Sequence, residues 1–89
     1  MQHTEQSSQL QKFSAASAYR EERTSWWPSA ASFDWYLRRH RVRLVKAGAL
    51  ILQRGAWLIH TEIFDAEAVA IAQSEALAWV ERESSKAAA

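Results

Sequence analysis

The sequence predicts a mainly α-helical domain with one small β-hairpin, in the order α-α-β-β-α. Three observations support this fold class. Apolar residues recur at helical spacing between residues 30 and 47, two short runs of β-forming residues flank a turn at Arg54-Gly55, and an alanine-rich segment follows Thr61. With 89 residues, 48% of them hydrophobic, the chain is long enough for one core and too short for two.

The composition and the termini exclude several classes of protein. The chain has no cysteine, which excludes a disulfide framework, a thiolate zinc site and a cysteine nucleophile. The polar N-terminus lacks the apolar run of a signal peptide, and no segment approaches the roughly 20 apolar residues of a membrane span. We therefore expect a cytoplasmic protein that does not enter membranes. One domain is expected at residues 13–83, between mobile tails at residues 1–12 and 84–89.

The first predicted helix is short. Ser14 is suited to cap a helix that runs to about Arg23, because apolar residues near it recur at helical spacing. The pair Trp26-Trp27 and then Pro28 interrupt regular structure, since proline disfavours a helical backbone at the residue before it. We expect a tight linker between the first and second helices.

The second predicted helix spans residues 30–47. Ser29 is a typical N-cap, and Gly48 stands where a left-handed residue ends a helix. A core-facing stripe at spacings of four, three and four comprises Phe33, Leu37, His40 and Leu44. On this stripe we expect His40 to be partly buried and hydrogen-bonded.

Two further elements complete the predicted fold. Residues 49–60 predict a β-hairpin that turns at Arg54-Gly55, with Trp57 in the core. Thr61 can cap a last helix that continues to about Arg82, with acidic residues near its positive N-terminal end. A helix, a turn and a second helix followed by a two-stranded wing form a winged helix-turn-helix, in which the second helix enters a DNA major groove.

The net charge of +1 conceals a basic centre. Residues 29–60 carry six lysines and arginines against one aspartate, a net charge of +5, whereas residues 61–89 carry −4 and residues 1–28 are neutral. A cationic helix can neutralise successive DNA phosphates and release their condensed counterions. The residues predicted to contact phosphates are Arg38, Arg39, Arg41, Arg43 and Lys46. Among them, Arg39, Arg43 and Lys46 share one helix ridge.

Further DNA contacts are predicted at the two ends of this basic region. Ser29 and Ser32, at the positive N-terminal end of the second helix, offer short polar groups to base edges, although capping alone also accounts for Ser29. Arg54 in the hairpin turn can reach a minor groove or a phosphate. The sequence leaves two alternatives open: a solvated face that balances the acidic last helix, and a small protein-interaction module, antitoxin-like or a phage or plasmid accessory protein, whose basic helix binds an acidic partner.

The sequence contains no catalytic or metal-binding pattern. The histidines at positions 3, 40 and 60 lack ligand spacing, and the carboxylates gather in the last third of the chain. Only Gly48 and Gly55 are available for a phosphate-binding loop. We therefore predict a protein that is not an enzyme and that uses neither metal nor cofactor.

Three segments carry a family resemblance: residues 27–41 (WPSAASFDWYLRRHR), 46–50 (KAGAL) and 53–64 (QRGAWLIHTEIF). In order and approximate spacing they resemble the capped recognition helix, the wing turn and the closing helix of the excisionase and AlpA-like branch of MerR-type winged-helix proteins. The resemblance implies a transcription regulator or an excision factor of a bacterial mobile element, with a recombinase as a partner. The residues that it assigns to DNA contact are Ser32, Arg38, Arg39 and Arg54.

The chain departs from that family in its longer basic helix, its two-tryptophan linker and its extended last helix. Leu77, Trp79 and Val80 cluster beyond Ile71 and cannot all point inward, because successive helical residues are about 100° apart. These three residues are predicted to form a surface for a second copy or another partner. A twofold dimer would present two basic helices to one DNA site.

Overall fold

A computed structural model describes residues 10–88 of the chain. From Phe13 onward it is mainly helical, with three helices and one three-stranded antiparallel sheet. In chain order the elements are β1 (Phe13–Ala15), α1 (Ala16–Glu22), α2 (Ala30–Ala47), β2 (Leu50–Gln53), β3 (Ala56–His60) and α3 (Thr61–Ala88). The predicted class, mainly α with a small β component, is confirmed at this level. Most of the predicted N-terminal tail, residues 1–9, lies outside the described residues.

The prediction that Ser14 caps the first helix is wrong. Ser14 lies in β1, where it pairs with Ile59 of β3, and α1 begins two residues later without a side-chain cap. The ring of Phe13 packs edge-on against the His60 ring, with centroids 5.1 Å apart. A strand of three residues is too short to show the alternation that marks a strand in sequence, and its partner is far along the chain. The sheet therefore has one strand more than predicted.

Both predicted ends of α2 are confirmed. The Ser29 side chain accepts a hydrogen bond from the Ser32 amide at 3.1 Å, and Gly48 ends the helix with a left-handed φ of 83°. The helix is not straight, because the backbone at His40 is non-helical (φ −109°, ψ 15°). No proline or glycine lies between residues 30 and 47, so the sequence carries none of the usual signals of a kink. His40 itself is half-buried and packs against Tyr36, with ring centroids 4.6 Å apart.

The predicted hairpin is formed by β2 and β3, and its turn lies at the predicted position. Arg54 and Gly55 both have positive φ, 52° and 77°, which is the conformation of a two-residue turn whose twist matches that of the flanking strands. The register places Leu50 opposite Ile59 and Leu52 opposite Trp57. Since β3 pairs with β1 on its other edge, the strand order is β1-β3-β2.

An aromatic cluster forms the centre of the core. Its members are Tyr19, Trp27, Phe33 and Phe64. Their ring centroids lie 4.7 to 6.0 Å apart, within the range of favourable aromatic pairs. Trp27, which the sequence placed in a linker, is therefore a core residue, and it joins the connection after α1 to α2 and α3. Trp57, predicted in the core, is half-buried and packs against it.

The last helix, α3, begins differently and ends later than predicted. The His60 ring, not the Thr61 hydroxyl, caps it, because His60 Nδ1 accepts a hydrogen bond from the Ile63 amide at 3.2 Å. Thr61 is the first helical residue, and its amide donates to the carbonyl of Lys12 at 3.1 Å. The helix continues through residues 84–88, past the predicted end near Arg82. All described side chains after Ile71 are exposed, so the second half of α3 projects from the domain.

Candidate nucleic-acid interface

Three of the predicted basic residues lie on the side of α2 that faces away from the core. Phe33, Leu37 and Leu44 are buried on the core side of the helix. Successive residues of a helix are about 100° apart, and those on the opposite side of α2 form a surface that we name the outer face. It comprises Trp35, Arg38, Arg39, Val42 and Lys46, all of them exposed. The core stripe and the outer face thus lie on opposite sides of one helix. Packing of the core stripe keeps the outer face exposed to solvent.

Three of the basic residues lie together, as their helical spacing predicts. Arg39, Arg43 and Lys46 line a shallow groove along α2. The remaining residues that line it are His40, Val42 and Ala47. Because His40 is also the site of the kink, the groove passes the point at which the helix changes direction.

Arg43 differs from the other basic residues of α2. Its Nε donates to Glu67 Oε1 of α3 at 2.9 Å, so its charge is partly compensated within the domain. In the part of the chain that the structure describes, no carboxylate forms an ion pair with the five other basic residues of the predicted site. Those five are Arg38, Arg39, Arg41, Lys46 and Arg54. Their charge is directed to solvent.

Two tryptophans hold two of these arginines in place. The guanidinium of Arg39 lies 5.2 Å from the ring centre of Trp35, and that of Arg41 lies 5.2 Å from the ring centre of Trp57. Such contacts limit the motion of the side chain while its N–H donors remain available to an anion. Trp35 is not among the residues predicted from the sequence, although its spacing of four residues from Arg39 on a helix is a usable signal. The contact of Arg41 with Trp57 also joins α2 to the hairpin.

The two serines at the start of α2 bond to each other. Ser29 Oγ accepts from the Ser32 amide, and Ser32 Oγ donates to the Ser29 carbonyl at 2.9 Å. This reciprocal arrangement stabilises the first turn of the helix. The structure therefore gives both hydroxyls a capping role, and that of Ser32 has its proton engaged in the cap. Toward a base edge Ser32 can therefore only accept, whereas the Ser29 hydroxyl can still donate its proton.

Arg54 stands at the tip of the hairpin. Its backbone adopts a left-handed φ of 52°, its side chain is exposed, and Gly55 completes the turn. Arg54 thus places an exposed cation on the hairpin turn, in addition to those of α2.

A polar cluster of Tyr19, Arg23 and Asp65, which was not predicted from the sequence, joins α1 to α3. Arg23 Nε and Nη2 donate to the two oxygens of Asp65 at 2.7 and 2.9 Å, and the Tyr19 hydroxyl donates to Asp65 Oδ1 at 2.6 Å. The hydrogen bonds from Arg23 lower the pKa of Asp65, and burial together with the Asp65 bond raises the pKa of Tyr19. The carboxylate is thus charged and the phenol protonated at neutral pH. Beside this cluster opens a groove of about 250 Å³ that Trp26 and Val69 help to line.

Comparison of the chain with protein-family models, with curated proteins and with solved structures gives no match. Within residues 10–88, no group of three or more histidine and carboxylate side chains is placed to hold a metal ion. In the same range, no helix combines the length and the apolar character that crossing a bilayer requires.

Proposed function

We propose that the protein is a sequence-specific, double-stranded DNA-binding protein with a winged helix-turn-helix arrangement. In this proposal α1 and α2 are the two helices of the motif, α2 enters the major groove, and the β2–β3 hairpin is the wing. The observation that carries it is the outer face of α2, where Arg38, Arg39 and Lys46 are exposed on one side of a helix and form no ion pair within the described residues. Uncompensated cations in one strip fit a polyanion with regularly spaced charges.

The kink at His40 divides α2 into two segments that have different roles in the proposed complex. The segment Ala30–Arg39 is ten residues long, about 15 Å, and follows the compact turn that contains buried Trp27. An α-helix with its side chains is about 10 to 12 Å across, so this segment fits the major groove, which is about 12 Å wide. The second segment, which carries Arg41 and Lys46, then runs in a new direction and faces the DNA backbone.

Contacts in this arrangement have different tasks. Arg38, Arg39 and Lys46 bind phosphates and position the protein without regard to sequence. Trp35 offers an apolar surface to a thymine methyl group, the only apolar group on a major-groove base edge. Arg54 on the wing binds the adjacent backbone or minor groove. In a cell such a protein would act as a transcription regulator or as an accessory factor of a recombinase on a mobile element.

The salt dependence of binding tests the proposal. Affinity for a duplex of mixed sequence should fall steeply as salt rises, and the slope of log K against log salt should lessen by about two in the double variant Arg39→Ala, Lys46→Ala. The control is Arg82→Ala, which removes an exposed cation on α3, away from the outer face. Fluorescence anisotropy with labelled duplex measures all three proteins. The same slope in the double variant and the wild type would contradict the phosphate role.

One observation favours a second function. Trp35 and Val42 leave 55% and 68% of their surface exposed on the basic outer face, and such apolar area suits a protein surface as well as a base edge. A small interaction module that binds an acidic protein partner would use the same residues. Absence of duplex binding, together with salt-tolerant binding to an acidic protein, would favour that function over DNA binding.

A further inference from the structure

The second half of α3 is not built to pack on its own domain. The buried side of the helix consists of Phe64, Ala68 and Ile71, and the same line continues through Glu75 and Arg82, which are charged and exposed. A charged side chain on that line cannot extend the apolar core without a partner. The projecting half therefore has no cover from residues 10–60.

A different line of α3 stays apolar. It consists of Val69, Ala72, Ala76 and Trp79, at spacings of three, four and three, and we name it the α3 seam. Val69 and Trp79 leave 45% and 57% of their surface exposed, and the two alanines between them are also exposed. Alternating spacings of three and four residues are the pattern of a helix that pairs with another helix.

We propose that the α3 seam pairs with the same seam of a second copy, in antiparallel orientation, around a twofold axis at the level of Ser74. In this register Val69 faces Trp79 of the second copy, and Ala72 faces Ala76 of the second copy. Each contact then occurs twice, as a twofold interface requires. The central alanines let the two helix backbones approach closely, while the bulky residues fill the ends.

The charges that continue the seam select the antiparallel direction. At the same spacing the line extends to Glu62 and Asp65 on one side and to Glu83 and Lys86 on the other. Parallel pairing would place each of these charges opposite its own copy. Antiparallel pairing instead places Glu62 opposite Lys86, an attractive pair. It also places Glu83 opposite Asp65, whose charge is already compensated by two hydrogen bonds from Arg23.

The groove beside the polar cluster of Tyr19, Arg23 and Asp65 can accommodate the Trp79 indole of the second copy. It is bordered by Val69, Ala68 and the half-exposed Trp26, and its volume is about 250 Å³. Since Trp79 of the second copy lies level with Val69, the antiparallel register brings that indole to the mouth of this groove. Twofold symmetry fills the groove of both copies. Tryptophans in such pockets are the residues that most often dominate the affinity of an interface.

The first experiment measures dimerisation of the full chain without DNA, so that its outcome is separate from that of the proposed function. In sedimentation velocity and equilibrium, the wild-type protein should dimerise, and Trp79→Ala should raise the dimer Kd by about tenfold or more. Leu77→Ala is the matched control. Leu77 belongs to the partner surface that the sequence predicts, but it is 59% exposed and lies off the seam, about 200° from Trp79 around the helix, so the proposed pairing does not use it. Circular dichroism should show unchanged helix content in both variants. A monomeric wild type at high micromolar concentration, or a dimer insensitive to Trp79→Ala, would overturn the proposal.

The second experiment determines the direction of pairing. The chain has no cysteine, so single cysteines can be introduced without background. A mixture of Ala72→Cys and Ala76→Cys proteins should form a disulfide between the two variants under mild oxidation, because the antiparallel register places these positions opposite each other. Each variant alone should cross-link poorly. Efficient cross-linking of Ala76→Cys with itself, and not in the mixture, would show parallel pairing and overturn the register.

Discussion

The aromatic cluster and the outer face of α2 use positive charge in opposite ways. Beside the cluster, Arg23 is held by both oxygens of Asp65 and stacks on Tyr19 at 4.0 Å, so its charge joins α1 to α3. On the outer face, Arg39 stacks on Trp35 but forms no ion pair within the described residues. The charge of Arg23 thus stabilises the fold, whereas the charge of Arg39 is left exposed to solvent. Substitutions in the two regions should therefore differ in their effect on stability.

The largest effect is expected in the aromatic cluster itself. Phe64 is fully buried and touches the rings of Tyr19, Trp27 and Phe33, so Phe64→Ala should lower the free energy of unfolding by about 3 to 5 kcal/mol. Urea denaturation followed by circular dichroism measures the loss. Trp35→Ala on the outer face serves as the control, with a change within about 0.5 kcal/mol. Equal losses in the two variants would remove the distinction between the regions.

The polar tie between α1 and α3 should have the next largest effect. Asp65→Ala removes the acceptor of the buried Tyr19 hydroxyl, which should cost about 1 to 3 kcal/mol. Asp65→Asn retains an acceptor and should cost less. Urea denaturation at neutral pH compares the two variants. A larger loss in Asp65→Asn than in Asp65→Ala would show that the Tyr19 bond does not stabilise the fold.

The same carboxylate should make stability depend on acid pH. Because Arg23 lowers the pKa of folded Asp65 below its ordinary value of 3.8, the ionised group contributes stability above that pH. This contribution is lost as the pH falls from about 4 through the lower pKa of the folded state. The wild type should therefore lose more stability than Asp65→Asn over this range. Thermal unfolding at a series of pH values provides the measurement, and parallel curves for the two proteins would speak against the coupling.

The end of α2 should show a smaller effect. Gly48 has a φ of 83°, and a Cβ placed there would lie 3.8 Å from the Ile63 side chain, an ordinary contact. The cost of Gly48→Ala thus comes from backbone conformation alone and should be about 1 kcal/mol. Ala47→Gly, one residue earlier in the helix, is a useful comparison because it removes helix propensity without changing the cap. If thermal unfolding detects no loss in Gly48→Ala, the left-handed cap does not hold in solution.

The smallest effect separates two arginines of one helix. Arg43→Ala breaks an exposed ion pair with Glu67 and should cost less than about 1 kcal/mol of stability. If DNA binds the outer face, the salt slope of binding should change less in Arg43→Ala than in Arg39→Ala, because Glu67 competes with DNA phosphates for the Arg43 side chain. Anisotropy titrations of the two single variants provide the comparison. A larger slope change in Arg43→Ala would mean that the ion pair opens when DNA binds.

Local signals in the sequence determined much of the fold. The bounds of α2 follow from Ser29 and Gly48, the hairpin turn follows from Arg54-Gly55, and the basic character of residues 29–60 follows from composition. The interactions that determine the helix ends and the turn join residues only a few positions apart. A capping serine bonds an amide three residues ahead, and a glycine adopts positive φ without help from the rest of the chain.

Tertiary structure decided the features that depend on distant partners. Ser14 forms a strand because β3 offers its edge, and Trp27 is buried because α2 and α3 meet around it. The same holds for charge: Arg43 lies on α2 and Arg23 directly follows α1, yet each is compensated by a carboxylate of α3, 24 and 42 residues away. Hydrogen bonds and ion pairs act over a few ångströms, so their partners are known only once the fold has brought distant residues together.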